Sequence, residues 1–175
     1  MRRALICLCV IVLVLSAQAA AFSSPPSLNS IASKLAGRKV TIRCLTKQET
    51  LIDPIFLDGT EAYVEVPNPY AVFKYGHCEN LLALLAGDAS GITLNQLTWS
   101  ILVLIHESGH MRNVSWARSE PLIQCWAMQH FRAGLKMLGV HLPIAQSLII
   151  WEAIEIHNNG LALGYKKPGC KLPRP

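Results

Sequence analysis

Trp99-Ser-Ile-Leu-Val-Leu-Ile105 runs straight into His106-Glu107-Ser108-Gly109-His110. Thr93 stands where an N-cap belongs, Leu94, Leu97, Ile101, Leu104 and Ile105 recur at helical spacing, and no Pro or Gly intervenes before Gly109. The stretch is therefore predicted to form one helix from Thr93 to about Met111. Residues four apart on a helix share a face one turn from each other, so both imidazoles can point at a single metal ion. Glu107 then flanks the open side of that ion. On an ordinary buried helix, two histidines and a glutamate would each need a hydrogen-bonding partner in apolar surroundings. With 6 His and 8 Glu in 175 residues, random order gives the His-Glu-x-x-His pattern in about one such chain in a hundred.

A catalytic zinc site uses three protein ligands and leaves a fourth position for water. Glu120 is the first candidate for the third ligand. It follows Ser119, a candidate N-cap, in the first turn of the next predicted helix, where the helix dipole favours a carboxylate. The segment from Arg112 to Ser119 is long enough for the chain to turn back and bring Glu120 over His110. Gln124, one turn further on the same face, is placed to hydrogen-bond a ligand from behind. His130, Glu152, Glu155 and His157 are the alternative third ligands. His130 lies nearly three turns from Glu120 on the same helix, too far to share a metal with it. A zinc ion so held lowers the pKa of bound water to about 7, and Glu107 can take the proton and pass it to a leaving amine. His157 and Tyr165 are the candidates for a second electrophile.

At the other end of the chain, Arg2 and Arg3, the apolar stretch Ala4 to Leu15, and Ala17-Gln18-Ala19 have the pattern of a secretory signal peptide over 1–19, with Ala21 a nearby alternative cleavage point. This apolar stretch is too short to span a bilayer, so no membrane span is expected in the mature chain. Residues 20–36 are expected to be a leader, loose and rich in Ser and Pro from Ser23 to Ser30, with a short helix near Leu28 to Leu35. Residues 37–175 then form one domain with one core. Loss of Arg2 and Arg3 lowers the net charge from +5 to +3, and no basic run interleaves with aromatics, so nucleic acid is not expected as a partner. Loss of Cys7 and Cys9 leaves four of the 6 cysteines, Cys44, Cys78, Cys125 and Cys170. An even number in an exported chain reads as two disulfides. Three pairings exist. Cys44 with Cys78 and Cys125 with Cys170 is favoured because each bridge ties neighbouring segments, and no C-x-x-C pair supports a cysteine-rich zinc site.

Val40-Thr-Ile-Arg-Cys44 and Ala62-Tyr-Val-Glu-Val66 alternate and are rich in β-branched residues, so two or three short strands are predicted here. Asp58-Gly59 reads as a turn between them, and Pro67 and Pro69 as the end of the second. Helices are predicted over Cys78–Leu85, closed by Gly87, over Ser119 to about Leu138, and over Pro143–Asn159, with Gly139 and Gly160 as stops. The fold class is α+β and mainly helical, with short N-terminal strands packed on a helical core whose central helix carries the histidines. Trp99, Trp116, Trp126 and Trp151 are expected in the core or at its margin. Lys166 to Pro175 is expected to be a polar tail fixed only at Cys170.

His106-Glu-x-x-His110 followed by Glu120-x-x-x-Gln124 resembles the gluzincin branch of zinc metallopeptidases, in which a glutamate on the next helix is the third ligand and an acidic residue four positions later steadies the site. More narrowly, the stretch from Ile105 through Ser119-Glu120 to Gln124-Cys125-Trp-Ala-Met-Gln129 is similar to small secreted bacterial metallopeptidase-like proteins. About thirty residues carry the resemblance. Gln124 stands where an acidic residue is usual, and the link from His110 to Glu120 is shorter than in the large gluzincins. The resemblance implies a zincin-like core, zinc on His106, His110 and Glu120, Glu107 as general base, and a peptide or protein substrate. The residues also admit a secreted binding or structural domain that retains zinc without turnover.

Overall fold

In a computed structural model that describes residues 26–57, 59–65, 68–113, 115, 119–160 and 163–175, the chain opens with helix α1 (Pro26–Ala36). The expected loose leader is thus helical from Pro26 onward. Pro suits a first helical turn, and Leu28, Ile31, Ala32 and Leu35 fall on one buried face. The predicted signal peptide, Asp58 of the expected turn and Trp116 lie outside the described residues.

Strand β1 (Thr41–Cys44) is followed by two short helices that the sequence reading did not place, α2 (Lys47–Ile52) and α3 (Pro54–Leu57). Thr46 starts α2 with a capping box: its hydroxyl accepts from Glu49 N, and the Glu49 carboxylate accepts from Thr46 N. Strands β2 (Ala62–Val64) and β3 (Tyr70–Phe73) complete a sheet of order β1-β3-β2. β3 lies parallel to β1, with Thr41 opposite Tyr70, and antiparallel to β2, with Val64 opposite Ala71. Central β3 carries buried Ala71, Val72 and Phe73 in succession, as a strand covered on both faces does. Helix α4 (Tyr75–Leu85) begins three residues before the predicted Cys78, from Lys74 as N-cap.

Helix α5 (Leu94–Arg112) is the long central helix, and Thr93 and Gln96 form its capping box. From Thr98 to Met111 every side chain except Trp99 is buried. This follows from its position, since α1, α4, β2 and the two helices that come after all pack on it. Ile101, Leu104 and Ile105 are wholly buried, each contributing about 1.5–3 kcal/mol relative to exposure. Helix α6 (Glu120–Met137) starts at Ser119, which holds the N-cap position without a side-chain cap bond. Helix α7 (Pro143–Glu155) gives way to a π-helical turn (Ile156–Gly160), and a 3₁₀ turn (Leu163–Tyr165) follows.

Two glycines set how closely α5 and α6 approach. A Cβ at Gly109 would lie 2.7 Å from Trp126 Cε3 and 3.1 Å from Ile123 Cγ2, and one at Gly134 would meet the Ile105 side chain at 2.5 Å. The fold is α+β and mainly helical, with a small sheet. Both favoured disulfides are present: Cys44–Cys78 joins β1 to α4, and Cys125–Cys170 joins α6 to the tail. The tail is held at more points than Cys170. The Lys166 ammonium donates to Asn158 O, Arg132 Nη2 donates to Arg174 O at 2.7 Å, and Leu172 packs on the core. Trp126 is buried as expected, whereas Trp151 is 55% exposed on α7. Among the described residues, no helix is long and apolar enough to cross a membrane.

Candidate metal centre

The 3.6-residue helical repeat stacks His106 and His110 on one face of α5, with ring centroids 4.8 Å apart. α6, seated by the two glycines, delivers Glu120 from its first turn and Gln124 from its second. His106 Nε2 lies 3.0 Å from His110 Nε2 and 3.0 Å from Glu120 Oε2, and His110 Nε2 lies 3.4 Å from the same oxygen. All three side chains offer a ligand atom within 4.8 Å of the others and could hold a metal ion.

The donor set fits such an ion. Metal–ligand bonds of about 2.0–2.1 Å in tetrahedral geometry put neighbouring ligand atoms about 3.3 Å apart, close to the separations found. Gln124, 2% exposed, accepts from His106 Nδ1–H through Oε1 at 2.9 Å. That bond fixes the hydrogen on Nδ1 and leaves the Nε2 lone pair facing inward. Lone pairs of the two rings and the carboxylate converging on one point repel unless a proton or cation lies among them. Where protons on the two Nε2 atoms take the place of a cation, hydrogen bonds first from His106 and then from His110 hold Glu120 down to about 2, so it stays an anion. Burial pulls the His106 imidazole down, but Glu120, Glu107 and Gln124 outweigh it and leave the ring above its usual value.

Glu107 lines the cavity space beside the donors. It is 7% exposed, makes no hydrogen bond among the described residues, and is pushed above the usual carboxyl range by burial. It lines a cavity of about 300 Å³ with Thr60, Ala62, Trp99, His106 and Tyr165. A second cavity of about 260 Å³ adds Val64, His110 and Glu120, and shares Glu107 and Tyr165. Space for a small ligand thus adjoins both the donor cluster and the carboxylate.

Of the two candidate electrophiles, the fold brings one to the cavity. The Tyr165 ring centroid is 5.9 Å from that of His106, and its hydroxyl is raised above its usual value by burial and then by Glu120 and Glu107. His157 is 5% exposed and stands behind Gln124, with Nδ1 3.5 Å from Gln124 Nε2. It lines neither cavity. Burial pulls its imidazole down. Among the alternative third ligands, His130 stacks on Trp126 at 4.2 Å and Glu152 accepts from Asn95 Nδ2 at 2.7 Å, both engaged elsewhere. Trp99, Thr60 and Ala62 were not legible as cavity walls, because only the tertiary packing of β2 on α5 brings them there. No family model, curated protein or solved structure matches the chain.

Proposed function

We propose that the protein is a secreted zinc-dependent peptidase of the gluzincin kind, with His106, His110 and Glu120 holding zinc and Glu107 as general base. One observation carries the reading: three inward-facing donor atoms sit beside a buried carboxyl group that has no hydrogen-bond partner among the described residues and opens on a cavity. Two histidines and a carboxylate are a common catalytic zinc set, and zinc bound there would acidify a water and polarise a peptide carbonyl.

The chain's own groups do the rest. Gln124 keeps His106 in the tautomer that offers Nε2. Glu107 takes a proton from the attacking water and returns it to the leaving nitrogen. Tyr165, neutral at physiological pH, can donate to the oxygen of the carbonyl under attack. Among the described residues β2 pairs only with β3, so its free edge can take an extended peptide as a further strand beside the cavity. The two disulfides fit an oxidising compartment, in line with the predicted signal peptide.

A site that merely retained metal would have no chemical use for Glu107, which weighs against a structural zinc domain. The test is metal analysis with peptide hydrolysis. Purified mature protein should carry about one zinc, His110→Ala should lose it, and Glu107→Gln should keep it while abolishing hydrolysis. Bound zinc with equal activity in wild type and Glu107→Gln over a broad peptide panel would overturn the peptidase reading and leave the binding domain.

A further inference from the structure

Beyond Trp99 and Glu61, which form a shared wall, the cavity beside Glu107 adjoins another of about 380 Å³. Lys47, Lys74, His77, Asn80 and Gln96 are among the residues around it. Its one carboxylate among the described residues is already engaged: Glu61 Oε2 lies 2.8 Å from His77 Nε2 and 3.5 Å from Lys74 Nζ. The other ring nitrogen of His77 is 3.0 Å from Ser100 Oγ, whose own hydrogen goes to Gln96 O at 2.8 Å. Three further acids adjoin the cavity without lining it: Glu49 pairs with Arg43, while Glu79 and Glu152 accept from the lining residues Tyr75 and Asn95. Lys47 has no ion-pair partner among the described residues. The cavity therefore presents two ammonium groups, with one engaged carboxylate between Lys74 and His77, and has Trp99 on its inner side.

We infer that this cavity is a carboxylate-binding subsite, so that favoured substrates carry a carboxylate three to five residues from the bond that is cut. The inference rests on the peptidase reading of the adjoining site. The spacing comes from α5, which carries His106 at one cavity and Trp99 and Gln96 at the other. At about 1.5 Å per residue these lie roughly 10–15 Å from His106, and an extended peptide covers that distance in three to five residues at about 3.3 Å each. The carboxylate belongs either to the peptide's C-terminus or to an acidic side chain. Lys47 and Lys74 supply the charge that selects it.

The test uses zinc-loaded Glu107→Gln protein, which cannot consume the probes, and calorimetric titration with short N-acetylated alanine-glycine peptides. One series ends in a free carboxylate, one in an amide, and one in an amide with a single Glu at each position in turn. Expected is binding about tenfold tighter for a carboxylate-bearing series than for the plain amide, a preference that shrinks as salt rises. Lys47→Gln/Lys74→Gln should bring the ratio to within about twofold of unity. Whichever carboxylate series wins identifies the source. Equal affinities, a preference that survives the double substitution, or no binding of any probe overturns the subsite. Hydrolysis by wild type without this preference sinks the subsite alone, and carboxylate-selective binding without hydrolysis by wild type sinks the peptidase reading alone.

Discussion

Gln124 shows how much a neutral amide can decide. Its Oε1 accepts the His106 Nδ1 hydrogen at 2.9 Å, and its Nε2 faces His157 Nδ1, so the amide is oriented from both sides. Gln124→Leu keeps the volume and removes the acceptor. The imidazole is then free to carry its hydrogen on Nε2, where it blocks the metal. We expect zinc affinity, measured by competition with a chelator, to fall about 10–100-fold while the fold persists, and Gln124→Glu to restore it. Unchanged affinity in Gln124→Leu would remove the orienting role. Glu61 supplies a pH signature by the same logic. Its carboxyl is held below the ordinary range mainly by the hydrogen bond from His77. A depressed native pKa adds stability that is present above the unfolded value of about 4.5 and is lost as pH falls through the native value. Thermal melts should therefore show wild type ahead of Glu61→Gln at neutral pH and the gap closing below about pH 4.5. A gap that widens on acidification would reverse that sign.

The pairing of α5 with α6 brings together a group that could hold a metal ion, and Gly109 sets how closely the two helices approach. Trp126, against which a Cβ would collide at 2.7 Å, is stacked on His130 at 4.2 Å and faced by Arg112 at 5.8 Å. The ring has little room to retreat. Gly109→Ala gains about 1 kcal/mol of helix propensity but overpacks the contact, which typically costs about 1–3 kcal/mol. Urea unfolding should show a net loss of up to about 2 kcal/mol, and zinc affinity should fall with it because α6 carries Glu120. α5 itself was legible in the sequence, since the Thr93 cap, the apolar run and the four-residue histidine spacing are all local. The same holds for Glu120 and Gln124, one turn apart at the start of α6. α2 and α3 were not, because Lys47 to Leu57 lacks apolar periodicity, although Thr46-x-x-Glu49 is the capping-box pattern that marks α2. β3 was lost to the prolines before it: Pro67 and Pro69 read as the end of β structure, yet Tyr70–Phe73 is the strand that both others pair with. Of the cavity walls, His106, Glu107, Gln124 and Tyr165 were named from the sequence, but Thr60, Ala62 and Trp99 were not, since long-range packing alone brings them there.

Across the whole chain the two disulfides are alike in stability and unlike in consequence. They close spans of 34 and 45 residues, and loops of that size typically contribute about 2–4 kcal/mol each by restricting the unfolded chain. Cys44–Cys78 ties β1 to α4, away from Tyr165. Cys125–Cys170 anchors the tail beside Gln124 on α6, and the same tail carries Tyr165 to within 5.9 Å of the His106 ring. The other tail anchors, Lys166 to Asn158 O and Arg132 to Arg174 O, are exposed and add little on their own, as exposed polar contacts generally do. Cys44→Ser/Cys78→Ser and Cys125→Ser/Cys170→Ser should therefore lower the urea midpoint to a similar degree. Only the second pair should release the segment from Leu163 to Pro175, seen as rapid chymotryptic cleavage after Tyr165 under conditions in which wild type is resistant. Zinc should remain bound in that variant, because His106, His110 and Glu120 lie on helices that the tail does not build, while peptide hydrolysis should fall with the loss of the Tyr165 hydroxyl. Equal protease resistance of the two variants would mean that Leu172 and the polar anchors hold Tyr165 in place without the bridge.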